Sequence, residues 1–194
     1  MELRVALVTP FAWSQPHDVN EHVAALAREL RRRGHRVTVL APSNSARDLA
    51  AGRRALLRGG DPQLIALGPA VPISRRSRMG VPVGARANLA HALARGFDVV
   101  HGFEPGLPSL SYLALRDSGA FTVATFFSPE RLGYPPGRAQ RERLLGRVDA
   151  LLAADEEVAA AAAARFPGRY TVVPPGIDPE LFAPAPKRRR VVLE

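Results

Sequence analysis

The sequence predicts an α/β protein built on a doubly wound, mostly parallel sheet. Runs of β-branched and aliphatic residues alternate with segments of helical periodicity, and the first 41 residues already contain a strand, a helix and a strand. Such a βαβ unit is almost always right-handed and makes its two strands parallel. Because the alternation continues to residue 173, we expect about six or seven strands in one sheet.

The first βαβ unit has clear boundaries. Residues 3–9 form a nearly continuous apolar run, which is typical of a buried parallel strand. The following helix is predicted over 19–33, with Asp18 as its N-cap and Gly34 ending it. The second strand is predicted over 36–41, where the sequence reads RVTVLA.

The remaining elements repeat this alternation. Further strands are predicted at 64–67, 70–74, 98–101, 121–126, 149–153 and 170–173. Helices are predicted at 46–58, 85–95, 107–117, 138–145 and 156–166, the last of them capped by Asp155. A loop rich in arginine, glycine and proline spans 75–84.

The composition of the chain changes after residue 173. We therefore predict one domain over 1–173, followed by a proline-rich linker over 174–186. Residues 187–194, KRRRVVLE, join a basic run to a short apolar one. We expect them to begin a second domain, of which this chain contains only the start.

Composition narrows the class of protein. Hydrophobic residues make up 46% of the 194 and charged residues 23%, and no apolar run approaches the roughly 20 residues of a membrane-spanning helix. The N-terminus does not resemble a signal peptide, and there is no cysteine for disulfides or a thiolate metal site. These features predict a cytoplasmic protein.

The net charge is +9, and Lys187 is the only lysine. Scattered arginines explain most of this charge without a specific partner. Nucleic acid is not expected as a partner, because the basic clusters have no interleaved aromatic residues and no recognisable binding motif.

Ligands of open α/β sheets bind outside the carboxyl ends of the strands, so the loops after the strands are the places to inspect. His17, Asp18, Glu104, Phe127, Glu130 and Asp178 lie in such loops. Glu104 also has a simpler explanation, as a carboxylate near the N-terminus of the following helix. His22, His35 and His91 lie on or near predicted helices and are interpreted as surface residues, whereas for His17 and His101 a site role and a structural role are equally compatible with the sequence. Neither a dinucleotide fingerprint nor a Walker-type phosphate loop is present.

Taken in order, several segments resemble the N-terminal domain of family 4 glycosyltransferases, especially bacterial phosphatidyl-myo-inositol mannosyltransferases. The segments are RVALVTPF, HVAALARELRRRGHRVTVLAP, FDVVHGFEPGLPSL, VATFFS and VVPPGIDPELF. They run from residue 4 to 182 and so cover nearly the whole chain.

The resemblance implies the Rossmann-like N-terminal, acceptor-side half of a GT-B fold in a retaining enzyme. It also implies that the donor-binding half is missing, that the chain alone does not turn over, and that neither a metal nor another cofactor is needed. Its partners would be the missing C-terminal domain and the acceptor. The cleft residues implied are Pro10, His17, Asp18, Val19, Glu104, Phe127, Ser128, Gly176 and Asp178.

The sequence departs from the family at polar or flexible cleft positions. His17 and Asp18 replace two glycines that normally precede the first helix, and Phe127 replaces a histidine used near the transferred sugar. Phe127 can neither donate a hydrogen bond nor transfer a proton, so we assign no catalytic residue. Two hypotheses remain: an active parent enzyme with an altered cleft, or a degenerate member that binds without transferring sugar.

A third hypothesis is peripheral association with the inner face of an anionic membrane. Related mannosyltransferases carry basic residues at the corresponding loop, and each arginine near such a surface could contribute about 1 kcal/mol. A solvated loop explains the same residues. The residues concerned are Arg75, Arg76, Arg78 and Arg86.

Overall fold

The computed structural model describes residues 1–72, 80–82 and 84–176. The strands are β1 (Arg4–Val8), β2 (Arg36–Ala41), β3 (Leu64–Ala66), β4 (Ala70–Pro72), β5 (Gly80–Pro82), β6 (Val99–Phe103), β7 (Phe121–Phe126), β8 (Ala150–Ala153) and β9 (Tyr170–Val172). The helices are α1 (Asp18–Arg32), α2 (Ala46–Arg58), α3 (Ala85–Leu93), α4 (Leu110–Asp117), α5 (Arg138–Leu145) and α6 (Glu156–Arg165), and Pro129–Arg131 forms a single 3₁₀ turn.

Seven strands form one parallel sheet in the order β3-β2-β1-β6-β7-β8-β9. In its centre, Leu7 of β1 is paired with Val39 of β2 on one side and His101 of β6 on the other. The chain builds outward from β1 to β3 and then returns to the other side of β1 to build from β6 to β9. The predicted α/β fold with a doubly wound parallel sheet is confirmed.

Helices cover the two faces of the sheet unequally. On one face, α2, α3 and α4 pack over β1, β2, β3 and β6, while α5 and α6 pack over β7 and β8. On the other face, α1 packs over β1 and β2 through Val19, Val23 and Ala27. Beyond α1, in the part of the chain that the structure describes, this second face has no helix over β7 to β9. Phe121 is consequently 53% exposed and Val173 is 48% exposed.

The first helix begins with a histidine cap. His17 has an extended backbone (φ −154°, ψ 136°), and its Nδ1 accepts a hydrogen bond from the Val19 amide at 3.2 Å. The ring nitrogen thus takes the place that a side-chain oxygen usually has in an N-cap. Our prediction of Asp18 as the cap is wrong, because Asp18 is already the first helical residue. At the other end, Gly34 has the expected positive φ of 87°.

Two further predictions differ from the structure. Residues 70–72 do not join the main sheet, because β4 pairs antiparallel with β5, inside the segment predicted as a loop. Helix α4 begins at Leu110 instead of residue 107, with Ser109 as its cap. Pro108 explains the later start, since the residue before a proline disfavours helical dihedrals. The predicted linker and second-domain start lie almost entirely outside the described residues.

None of the helices in the described ranges is long and apolar enough to cross a membrane.

Candidate functional site

The order of the strands creates a crevice between the carboxyl ends of β1 and β6. These strands are neighbours in the sheet, but the chain leaves them towards opposite edges. Such a topological switch point is where open α/β sheets bind ligands. Thr9–Phe11 follows β1, and Glu104 follows β6 directly. The strand order therefore brings two of the predicted site loops together.

Buried hydrogen bonds fix the loop after β1. Thr9 Oγ1 donates to Asn20 Oδ1 at 2.7 Å, and Asn20 Nδ2 donates to the Ala12 carbonyl at 3.1 Å. Asn20 belongs to the first turn of α1, so the loop and the start of the helix form one unit. Pro10 and Val19 are buried in this unit and serve as its wall.

His17 lies flat against Phe11, with ring centroids 3.4 Å apart and planes 14° apart. Its Nδ1 is also 2.6 Å from Asp18 Oδ1, whereas the Asp18 side chain is 74% exposed. One ring nitrogen cannot accept from the Val19 amide and donate to Asp18 at the same time. The unprotonated nitrogen suits the cap, and the protonated nitrogen suits the carboxylate. The two contacts of Nδ1 therefore require different protonation states of the His17 ring.

Glu104 is the most unusual residue of the crevice. Its side chain is completely buried, and its φ of 51° places a residue other than glycine in the left-handed region. Oε1 accepts from the Phe127 amide at 3.1 Å and from Arg131 Nη1 at 3.2 Å, while Oε2 has no hydrogen-bond partner among the described residues. Our alternative reading of Glu104 as a cap of the next helix is wrong, because Ser109 caps α4.

The charge of Glu104 is set by two opposing effects. Burial raises the pKa of the Glu104 carboxyl to about 7. Arg131 and the Phe127 amide act in the opposite direction, and the nearby negative charge of Asp18 raises the pKa further. Desolvation is the larger effect, so this carboxyl is poised to gain or lose a proton near neutral pH.

Arg131 connects Glu104 to the loop after β1. Its guanidinium carbon lies 5.1 Å from the centre of the Phe11 ring, on which His17 is also stacked. The Arg131 side chain is 26% exposed, so it lies at the mouth of the crevice between Glu104 and solvent. No local sequence pattern indicates Arg131 as a site residue. A buried acid favours a cationic partner, but Arg131 lies 27 positions from Glu104 along the chain, and the burial is itself a result of the fold.

Aromatic rings form the floor beside these charges. The Phe127 ring is 5.1 Å from the His22 ring and 6.2 Å from the Phe103 ring. Burial lowers the pKa of His22, and burial together with His22 lowers the pKa of His101 to about 3. His101 Nε2 is 2.6 Å from Thr125 Oγ1. This floor is therefore largely uncharged. His22, interpreted from the sequence as a surface residue, is half-buried against Phe103 and Phe127.

The structure thus brings most of the predicted cleft residues to one edge of the sheet, and their role in binding stays a prediction. Gly176 is exposed at the end of the described chain, whereas Asp178, Arg75, Arg76 and Arg78 lie outside the described residues. Arg86 is exposed on α3, and within the described ranges no contact joins it to the crevice. The same ranges contain no cluster of three or more histidine or acidic residues that could hold a metal ion.

Comparison with known proteins agrees with this architecture. Residues 19–181 match the model of Glycosyltransferase Family 4. Phosphatidyl-myo-inositol mannosyltransferase of Propionibacterium freudenreichii is 31% identical over 81% of this chain and 42% of its own length. The protein of the same name in Mycolicibacterium smegmatis is 31% identical over 95% of this chain and 46% of its own length. The chain therefore spans less than half the length of these curated relatives.

A solved structure agrees on the fold. Sucrose-phosphate synthase from Thermosynechococcus elongatus superposes with a TM-score of 0.50, at 15% identity and over 93% of each chain. At that identity the likeness concerns the fold alone. The family match covers most of the chain and includes every strand end that lines the crevice except that of β1. This chain belongs to glycosyltransferase family 4.

Proposed function

We propose that this chain is the acceptor-side half of a retaining hexosyltransferase, which transfers a sugar from a nucleotide-sugar donor to a hydroxyl of an acceptor. The observation that carries the proposal is the crevice at the switch point, where buried Glu104 keeps one oxygen without a partner beside Arg131 and Asp18. At the mouth of this crevice the partly exposed Arg131 guanidinium is suited to bind oxygen atoms of a polar acceptor, and the exposed Asp18 carboxylate is suited to accept from its hydroxyls.

In this proposal the donor is bound by a second domain, of which these 194 residues include only the start. The partly uncovered second face of the sheet supports such a partner, because parallel sheets are normally covered on both faces. Phe121 and Val173 are the large apolar residues exposed there. On this proposal residues 1–173 form the acceptor domain, 174–186 the linker and 187–194 the start of the donor domain. The 194 residues alone would then bind the acceptor but not turn over.

The altered cleft residues leave a second candidate, a degenerate domain that binds a ligand without transferring sugar. Phe127 favours it, because this ring packs against His22 and Phe103 and offers no group for proton transfer. Asp18 also favours it, because an exposed carboxylate would repel a donor diphosphate unless the neighbouring His17 ring, 2.6 Å away at Nδ1, were protonated.

The two candidates can be separated with the protein extended by the residues that follow 194 in its gene. We expect the extended protein to hydrolyse or transfer at least one sugar from a panel of nucleotide sugars. The panel should include nucleotide sugars of mannose, and phosphatidyl-myo-inositol should be among the acceptors offered, because the relatives' names include both. Isothermal titration would report donor binding, and a coupled nucleotide-release assay would report turnover.

If no nucleotide sugar binds and none is consumed, the enzyme proposal is wrong. The triple variant Phe127→His, His17→Gly and Asp18→Gly then tests the degenerate alternative. Turnover that appears only in this variant would identify a decayed site. The single variant Leu57→Ser is a suitable control for handling and folding, since Leu57 is 83% exposed on α2 and belongs to none of the proposed binding surfaces.

Peripheral binding to an anionic membrane, on the cytoplasmic side, is a further proposal that rests on the basic segment around α3. Replacing its four arginines by alanine is expected to weaken co-sedimentation at least tenfold with vesicles that contain roughly 30 mol% phosphatidylserine. The reason is that each arginine near an anionic surface contributes about 1 kcal/mol to binding. Vesicles of phosphatidylcholine alone should bind neither protein. The arginines to replace are Arg75, Arg76, Arg78 and Arg86.

A matched variant separates position from total charge. It removes four exposed arginines from other surfaces, namely Arg28, Arg143, Arg165 and Arg169. Binding that falls equally in both variants, or that ignores lipid charge, would rule out a specific membrane surface at α3.

A further inference from the structure

The backbone of Glu104 is held in a conformation that its side chain disfavours. A φ of 51° is uncommon outside glycine, asparagine and aspartate, and a strained backbone of this kind costs of order 1–3 kcal/mol. Glu104 is the one residue other than glycine with a positive φ in the part of the chain that the structure describes. Such strain persists only where surrounding contacts impose it.

The surrounding contacts come from the loop after β7. The Glu104 amide donates to the Thr125 carbonyl at 2.8 Å, which continues the pairing of β6 with β7 by one residue. The Glu104 carboxyl then meets the Phe127 amide. Two residues later, the Gly106 carbonyl accepts from the Tyr134 amide at 2.8 Å. Residues 104–106 thus hold the segment 127–134 at both of its ends.

The contact with Arg131 is not needed for that support. The Phe127 and Tyr134 amides fix the segment through its backbone, whereas Arg131 is reached through its side chain alone. A carboxylate in this place is costly, because burial raises its pKa and leaves Oε2 without a partner. An uncharged amide or hydroxyl could accept the Phe127 hydrogen bond without burying a charge. What the carboxylate adds is a fixed anion for the guanidinium.

Only part of the hydrogen-bonding capacity of the Arg131 guanidinium is used within the described ranges. Its Nη1 donates to Glu104 Oε1, and no hydrogen bond donated by Nε or Nη2 is found there. Phe11 covers the group at 5.1 Å, and Phe11 is itself fixed by the stacked His17 ring. The guanidinium thus contacts the Glu104 carboxylate and the Phe11 ring. Its other N–H groups lie at the partly exposed mouth of the crevice.

We propose that Glu104 is a positioning residue, which holds the guanidinium of Arg131 at the mouth of the switch-point crevice so that its remaining N–H groups can bind oxygen atoms of a polar ligand. The ligand-binding part of this inference rests on the proposed function. The positioning part concerns only contacts within this chain, so the two can fail separately.

The test is the order of the Arg131 side chain, measured by ¹⁵N NMR on the 194-residue protein. The Arg131 signals are assigned by their loss in Arg131→Lys. In the wild type at pH 8 we expect separate, slowly exchanging Nη signals. In Glu104→Gln, which keeps the shape and an oxygen for the Phe127 amide but loses the charge, we expect averaged signals and at least tenfold faster exchange with water.

Glu130→Gln is the matched control, because it removes a carboxylate from the same loop. Glu130 Oε2 accepts from Ser128 Oγ at 3.0 Å, and among the described residues the ion pair of Arg131 is with Glu104, not with Glu130. This variant should retain the wild-type Arg131 signals. A folded Glu104→Gln protein whose Arg131 signals match the wild type at pH 8 would overturn the proposal.

A pH series on the wild type provides a second measurement that needs no substitution. Because the carboxyl of Glu104 takes up a proton near neutral pH, Arg131 should lose its order as the pH falls from about 8 to 5.5. Asp18 is the other charged group that acts on Glu104, and the titratable rings nearby are His17, which caps α1, and His22 within α1. Glu104→Gln keeps these three groups, so any pH dependence that they cause would persist in the variant. We expect the order of Arg131 in Glu104→Gln not to change with pH, and a profile equal to that of the wild type would contradict the proposal.

The extended protein separates this inference from the proposed function. If it turns over, Glu104→Gln should raise KM for the acceptor at least tenfold with a much smaller change in kcat, as expected when a binding group loses its position. A wild type without turnover would contradict the proposed function and leave the NMR result as it stands. An unchanged KM in an active Glu104→Gln enzyme would contradict the role in ligand binding.

Discussion

Replacing Glu104 by glutamine is expected to remove most of the pH dependence of this protein's free energy of unfolding between pH 5 and 8. The pH dependence that remains should come from its other titratable groups. The folded-state pKa of about 7 lies well above the ordinary value of 4.5, because burial penalises the charged form. Between these two values the folded protein binds more protons than the unfolded chain. Its free energy of unfolding therefore falls as the pH rises through this window and levels off above about 7.

The size of the effect follows from the same pKa. At about 1.4 kcal/mol per pKa unit, the wild type should lose roughly 2 to 3 kcal/mol between pH 5 and pH 8 that Glu104→Gln does not lose. The variant should accordingly be at least as stable as the wild type at pH 8. The Glu104 carboxyl thus lowers the stability of the folded protein near neutral pH. We therefore expect this carboxyl to serve a function that offsets the loss.

Urea unfolding at pH 5, 6, 7 and 8 would measure this difference, with the fluorescence of Trp13, the only tryptophan, as the signal. Glu130→Gln provides the reference, because Glu130 is exposed and its loss should leave the pH dependence parallel to that of the wild type. Parallel curves for the wild type and Glu104→Gln would mean that the Glu104 carboxyl is not the titrating group.

Local patterns predicted most of the fold. The alternation of apolar runs and helical segments placed all seven strands of the main sheet, and the glycine after α1 has the conformation that its position required. The hairpin of β4 and β5 was missed, because its antiparallel pairing joins two short segments that each contain a proline. The cap of α1 was misassigned by one residue, because an imidazole nitrogen acts there in place of the expected carboxylate.

The candidate site was predictable only in part. Strand ends can be located along a sequence, and His17, Glu104 and Phe127 were identified in that way. Which strand ends are neighbours depends on the strand order, and this order is a property of the whole sheet. The contact of Glu104 with Arg131 joins loops after two different strands, so no local pattern contained it. Burial of the Glu104 carboxyl, which sets its pKa, likewise emerges only from tertiary packing.

The close approach of these two loops depends on Gly106. A Cβ atom added to Gly106 would lie 2.3 Å from the Arg131 carbonyl oxygen and 2.9 Å from Leu132 Cα. Both are backbone atoms, so the contact cannot be relieved by rotating a side chain. We expect Gly106→Ala to destabilise the protein by about 2 kcal/mol or more, in the range of overpacked sites. Part of that loss should come from displacement of the 3₁₀ turn that carries Arg131.

Gly133→Ala is the matched control for this substitution. Gly133 is in the same pair of loops, but a Cβ atom there would meet nothing within 4 Å. It should change the free energy of unfolding by less than about 0.5 kcal/mol. Urea unfolding of both variants gives the stabilities, and the Arg131 NMR signals report the position of the turn.

The combination of these measurements distinguishes a local clash from a general loss of packing. If the clash displaces the turn, Gly106→Ala should resemble Glu104→Gln in its Arg131 signals while differing from it in stability at pH 8. The double variant Gly106→Ala, Glu104→Gln should then show little further change in those signals, because both substitutions remove the same contact. Equal stability of the two alanine variants would show that the loops tolerate a side chain at Gly106, and the tight junction described for the crevice would be wrong.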